Sequence, residues 1–154
     1  MTTGMIALRD EAATVALGGL LADLLRPGDV VALSGPLGAG KTTFARGVLR
    51  SLGLEGEAPS PSFPIVIAYD PPDVRLPLLH VDLYRIGGSH ELEELGLDDS
   101  RADAALLIEW PERMGAALWP DALRLALEPA AAGGRCLTWT APGAWEARWP
   151  PAFP

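Results

Sequence analysis

The sequence contains no asparagine, no glutamine, one lysine and one cysteine in 154 residues. With Cys136 alone, neither an internal disulfide nor a cysteine-based zinc site can form, a usage that fits a reducing cytoplasm. The missing amides exclude more. Without Gln, an attacking water cannot be oriented as it is in Ras-like GTPases. Without Asn or a second Lys, a guanine-reading Asn-Lys-x-Asp motif cannot exist, and the protein-kinase catalytic loop, which needs an Asn, is absent. No run of eighteen apolar residues occurs, so no segment reads as a membrane span. The opening Met1-Thr2-Thr3-Gly4-Met5 lacks the basic-then-apolar pattern of a secretory leader. Positive charge is scarce as well: the formal net charge is −8 and the eleven arginines are scattered singly. Phosphate contacts need clustered Lys and Arg, so nucleic acid is expected to be held by a partner.

What remains is the composition of an ordinary globular protein, 49% hydrophobic and 21% charged, long enough for one domain with a sizeable core. Asp10 reads as a helix N-cap with Glu11 in the first turn. A helical stripe of Val15, Leu17, Leu20, Leu21, Leu24 and Leu25 follows, and Pro27-Gly28 stops it. Val30 to Leu33 reads as a buried strand, and Thr42 to Leu52 as a helix closed by Gly53. Ile65 to Tyr69 and Arg75 to Asp82 read as strands, with Pro77 marking a sheet edge. His90 to Leu95 is a short acidic helix, and Ala104 to Glu109 another buried strand. Ala122 to Leu127 and Arg135 to Thr140 read as an antiparallel pair. The expectation is a single α/β domain over 1–154: a mixed, mostly parallel sheet with antiparallel strands at its edges and helices on both faces. The segment 142–154 is a Trp- and Pro-rich tail, and Trp119, Trp139, Trp145 and Trp149 are expected to finish the core or its edge.

One motif carries chemistry. Gly35-Pro36-Leu37-Gly38-Ala39-Gly40-Lys41-Thr42 fits G-x-x-x-x-G-K-[ST], between a strand and a helix as a P-loop requires. The glycines let backbone N–H groups converge on an anion, and the helix adds the positive end of its dipole. Lys41 is expected to reach the β- and γ-phosphates, and Thr42 to offer its hydroxyl to Mg²⁺. The only lysine of the chain therefore stands where a compact ammonium, not a planar guanidinium, fits among phosphate oxygens. Two acids close apolar strand runs, Asp82 and Glu109. Either can hold Mg²⁺ directly or through water, and Glu109 can also polarise an attacking water. Sheets of this class bind ligands at the carboxyl ends of their strands, so Gly35, Asp82 and Glu109 are expected to gather at one edge. His80 shares a strand face with Asp82 and reads mainly as a structural hydrogen-bonding residue. With guanine recognition excluded, the nucleotide is ATP. A small-molecule kinase and a non-catalytic nucleotide-binding protein remain as alternatives; a kinase lid usually brings several arginines together, and here they stand singly.

The ordered set Gly-x-Leu-Gly-Ala-Gly-Lys-Thr-Thr at 35–43, Ser60-Pro61-Ser62-Phe63, His80-Val81-Asp82-Leu83-Tyr84-Arg85, Glu93-Glu94-Leu95-Gly96-Leu97 and Ile108-Glu109-Trp110-Pro111-Glu112 resembles the TsaE (YjeE) family over roughly residues 10–140. These are small bacterial P-loop ATPases of tRNA threonylcarbamoyl-adenosine biosynthesis. The resemblance implies weak Mg²⁺-dependent ATP hydrolysis that resets a TsaB–TsaD protein complex, with tRNA met only through those partners. It implies that Thr42 and Glu109 bind Mg²⁺, that Asp82 assists the metal or water, and that Trp110 lies against the site. It also places Glu11, Thr14, Thr43, Glu112 and Arg135 near the nucleotide and makes Ser60–Phe63 a switch-like segment. The sequence departs from the family at Pro36, where an acidic residue is usual, and Pro36 has no N–H to give a phosphate.

Overall fold

The computed structural model describes residues 1–61 and 65–153. Its strands are β1 (Thr2–Leu8), β2 (Val30–Ser34), β3 (Val66–Tyr69), β4 (Leu78–Asp82), β5 (Ala105–Glu109), β6 (Leu123–Pro129) and β7 (Arg135–Ala141). They form one sheet in the order β1-β7-β6-β2-β5-β4-β3. The inner four, β6, β2, β5 and β4, run parallel, and β1, β7 and β3 pair antiparallel at the two sides. Val30–Leu33 and Ala105–Ile108 are apolar without interruption because both of their faces are covered.

On one face lie α1 (Glu11–Ala22) and α2 (Lys41–Ser51), whose Leu17, Leu21, Phe44 and Val48 join Leu33, Leu107 and Leu125 in the larger core. On the other face, Leu97 of the short α4 (Leu97–Arg101) and Met114 of a 3-10 segment (Pro111–Ala117) pack with Val30, Val81, Leu106 and Ile108. The helix α3 (Ser89–Glu94) precedes α4. The expected mixed sheet with helices on both faces is therefore present. Asp10 caps α1 as its sequence position suggests, its Oδ1 accepting from Ala13 N at 2.8 Å. Among the described residues, no helix is long and apolar enough to cross a membrane.

Three features differ from the sequence reading. Residues 2–8 form an outer strand that no pattern announced. The strand expected from Arg75 starts only at Leu78, and Pro77 instead gives its carbonyl to Ala105 N; a proline has no N–H for the ladder. β4 is also not an edge, since β3 lies outside it. The tail, as expected, completes the core: Trp145 and Trp149 are buried in the larger cluster, and Trp139 and Phe153 pack against it. Arg148 fixes this tail by a bidentate pair with Asp29 (2.7 and 2.9 Å) and a bond to Leu24 O.

Candidate functional site

α1 and α2 both point their N-termini toward the carboxyl ends of β2, β4 and β5, where a cavity of about 420 Å³ opens. β2 ends at Ser34, and Gly35 turns the chain with φ +142°; a Cβ there would lie 2.2 Å from Leu127 O, so only glycine fits. Gly40, also at positive φ, admits the chain to α2. Lys41, the first residue of α2, is buried and donates from Nζ to Gly35 O and to Pro36 O, the latter at 3.5 Å. Burial lowers the pKa of its ammonium, while the carboxylates of Glu109, Glu112 and Asp82 oppose that shift.

The two acids stand side by side. Asp82 and Glu109 are register partners on the adjacent parallel strands β4 and β5, and both are buried. Thr42 donates its hydroxyl to Glu109 at 3.2 Å from Oε1 and 3.4 Å from Oε2. Asp82 Oδ1 accepts from Tyr84 N at 2.9 Å. His80 bonds Glu109 Oε2 through Nε2 at 2.6 Å, the hydrogen-bonding role that its sequence position suggested. Directly after β5, Trp110 takes φ +60°, the one non-glycine at positive φ among the described residues. Such strain in a bulky residue marks a position that its surroundings over-determine. Here the ring is held between Tyr84, 4.8 Å away centroid to centroid, and the Lys41 ammonium, 3.8 Å from its centroid.

Of the residues singled out from sequence, Leu37, Gly38, Ala39, Gly40, Lys41, Thr42, Thr43, Glu11, Thr14, Asp82, Glu109, Trp110 and Arg135 line this one cavity. Gly35 and Pro36 sit behind the lining and present carbonyls to Lys41. Glu112 lies outside it, exposed in the first turn of the 3-10 segment, and reaches the site only through its charge on Lys41. Ser62 and Phe63 of the switch-like segment lie outside the described residues. Gly134, next to Arg135, lines the cavity too, and Arg9 and Asp10 line it without having been read as site residues. Asp10 showed only its capping signal, and no local pattern marks Arg9. Arg135 turns its guanidinium to the P-loop backbone: Nε donates to Ala39 O at 2.9 Å and Nη2 to Gly38 O at 3.1 Å.

Among the described residues, no group of three or more His, Cys, Asp and Glu side chains could by itself hold a metal. The donors present, the Thr42 hydroxyl and two carboxylates, fit Mg²⁺ that completes its octahedron with phosphate oxygens and water. The loop backbone and Lys41 fit the phosphates.

Comparison with known proteins agrees with this fold. The family model described as "Threonylcarbamoyl adenosine biosynthesis protein TsaE" matches residues 8–136. The tRNA threonylcarbamoyladenosine biosynthesis protein TsaE of Streptomyces coelicolor is 47% identical over 115 residues, covering 74% of this chain and 78% of that one. Its namesake in Bacillus subtilis is 39% identical over 131 residues, covering 84% and 80%. The crystal structure of Bacillus subtilis YdiB superposes with a TM-score of 0.78 at 32% identity, over 93% of this chain and 88% of that one. The family model, the relatives and the solved structure each match along most of the chain, which belongs to the TsaE family and has the P-loop NTPase fold.

Proposed function

We propose that this protein is a cytoplasmic accessory ATPase of tRNA threonylcarbamoyladenosine biosynthesis. On this reading it binds Mg-ATP at Gly35–Thr43, hydrolyses it slowly, and uses the hydrolysis to reset a TsaB–TsaD complex between turnovers. The observation that carries the reading is the contact of the Thr42 hydroxyl with the buried Glu109 carboxylate beside Asp82, at the start of the P-loop helix. Thr42 and Glu109 are the proposed ligands of Mg²⁺, which when bound neutralises charge developing on the β- and γ-phosphates. Lys41 supplies a further positive charge from the loop side. Asp82 and Glu109 are proposed to orient a water against the γ-phosphate, and Trp110, packed on the Tyr84 ring, to lie against the nucleotide. Glu11, Thr14 and Arg135 border the same cavity and are proposed to flank the nucleotide. The net charge of −8 supports contact with tRNA through partners only.

The test is ATP turnover by the purified chain, alone and with the TsaB–TsaD pair of the same organism. Slow turnover that rises with the pair, without any phosphorylated metabolite, is expected. Lys41→Ala is expected to abolish tight ATP binding. Glu109→Gln keeps the shape but removes the charge and turns one acceptor oxygen into a donor NH₂; it is expected to lower turnover by about 10²–10⁴ while sparing nucleotide affinity. Phosphate passed from ATP to a small acceptor, with no response to the pair, would make this a kinase instead.

A further inference from the structure

We infer that His80 is the positioning residue for Glu109, holding one carboxylate oxygen from inside the sheet so that the other faces Thr42. The inference rests on the role proposed above for Glu109. His80 lies on β4 with no exposed surface and does not line the cavity, so it cannot itself meet a nucleotide. Its neighbours along the strand, Leu78, Leu79 and Val81, are apolar. A leucine would suit such a place, yet an imidazole occupies it.

The reason is the far end of the ring. Nε2 lies 2.6 Å from Glu109 Oε2, a short hydrogen bond, while the Thr42 hydroxyl lies 3.2 Å from Oε1 and 3.4 Å from Oε2. An ionised carboxylate can only accept, so Nε2 carries the proton. Nδ1 is buried without a hydrogen-bond partner among the described residues. In the neutral ring it leaves only a lone pair unsatisfied, not an N–H. One nitrogen of this ring is therefore used and the other is not, as expected of a side chain that serves a single contact. Glu109 is held by two side chains, the Thr42 hydroxyl from the P-loop helix and His80 from β4. Without His80, Glu109 is free to swing toward Lys41, whose charge it already faces. This is the support that a hydrogen-bonded outer residue gives a metal-ligating carboxylate.

The experiment compares His80→Leu, His80→Gln and His80→Asn in the full-length protein, each alone and with Glu109→Gln. ATP turnover, nucleotide affinity and thermal melting are read together. His80→Leu is expected to lower kcat about 10–100-fold with nucleotide affinity little changed. In the Glu109→Gln background it should cause no further loss, because it acts through that carboxylate. The Gln amide nitrogen reaches the place of Nε2 and should restore most of the rate; Asn, one carbon shorter, should not. Unchanged turnover in His80→Leu beside a dead Glu109→Gln would overturn the inference alone. Normal turnover in Glu109→Gln would overturn the role of Glu109 and the inference with it. If His80→Leu does not fold, the Gln and Asn variants decide: both place an amide in the same space and differ in reach, so equal rates would overturn the inference.

Discussion

Replacing Gly47 by alanine should destabilise the protein, although alanine is the better helix former. α1 and α2 cross so closely that each presents a glycine to the backbone of the other. A Cβ on Gly47 would lie 2.4 Å from Val15 O and 3.0 Å from Val15 Cα, and one on Gly18 would lie 2.4 Å from Phe44 O. Backbone cannot rotate aside as a side chain can, so the helices must part by about 0.6–1 Å to restore ordinary contact. Both are packed into the larger core with the sheet. Overpacking of this kind costs about 1–3 kcal/mol, and contact with rigid backbone puts it at the upper end. The gain in helix propensity returns about 1 kcal/mol, leaving a net loss of about 2 kcal/mol. For a chain of this size that corresponds to a fall in Tm of about 4–8 °C. Gly19 provides the control. It lies in α1, where an added Cβ would meet nothing nearer than Ser51 Cβ at 3.6 Å. Gly19→Ala should therefore raise Tm by about 2–4 °C through propensity alone. Thermal melting of both variants under the same conditions is the assay. Shifts of the same sign, or an unchanged Tm for Gly47→Ala, would refute the claim that backbone contact sets this crossing.

Two further outcomes are expected. Arg135→Ala should weaken ATP binding about tenfold, near 1.4 kcal/mol, by releasing the carbonyls of Gly38 and Ala39; Arg135→Lys should not restore it, since one ammonium cannot span both oxygens as the guanidinium fork does. Titration with a fluorescent ATP analogue reads both variants. The hydrogen bond from Arg101 lowers the pKa of Asp121 below its ordinary 3.8. The stability from this pair is thus full above 3.8 and is lost as pH falls through the lower, folded-state value. Asp121 is half-exposed, so Asp121→Asn should cost about 1 kcal/mol or less near neutrality, and the difference should fade in acid urea titrations.

The parts of the fold that could be read from sequence are those whose signal is local. An apolar run bounded by turn residues gave β2, β5 and the hairpin partners β6 and β7. A capping aspartate gave the start of α1 to the residue. β1 has no such signal: its exposure alternates, it holds Gly4, and what makes it a strand is β7 beside it, with the Trp139 ring lying over Gly4. α4, five residues long, is too short for a helical period to show. The tail was legible only as a list of large side chains. Its fixation by Arg148 depends on Asp29, more than a hundred residues earlier.

The same distinction runs through the site. The motif 35–42 describes the inside of the loop, but holding its shape takes residues from elsewhere. A loop that turns its N–H groups toward an anion must dispose of its carbonyls on the other side. Gly35 O and Pro36 O accept from Lys41, Pro36 O also from Ala39 N, and Gly40 O from Phe44 N within α2. Gly38 O and Ala39 O have no such local donor among the described residues, and both are taken by Arg135 from the start of β7. The sequence resemblance placed Arg135 near the nucleotide; the geometry gives it a second duty, as the outer brace of the loop. Gly134 lets that arginine approach, because a Cβ there would lie 2.4 Å from Leu8 O at the end of β1. The turn before β7 therefore helps fix the far side of the P-loop through Arg135, and a variant of Gly134 should be felt at the phosphates.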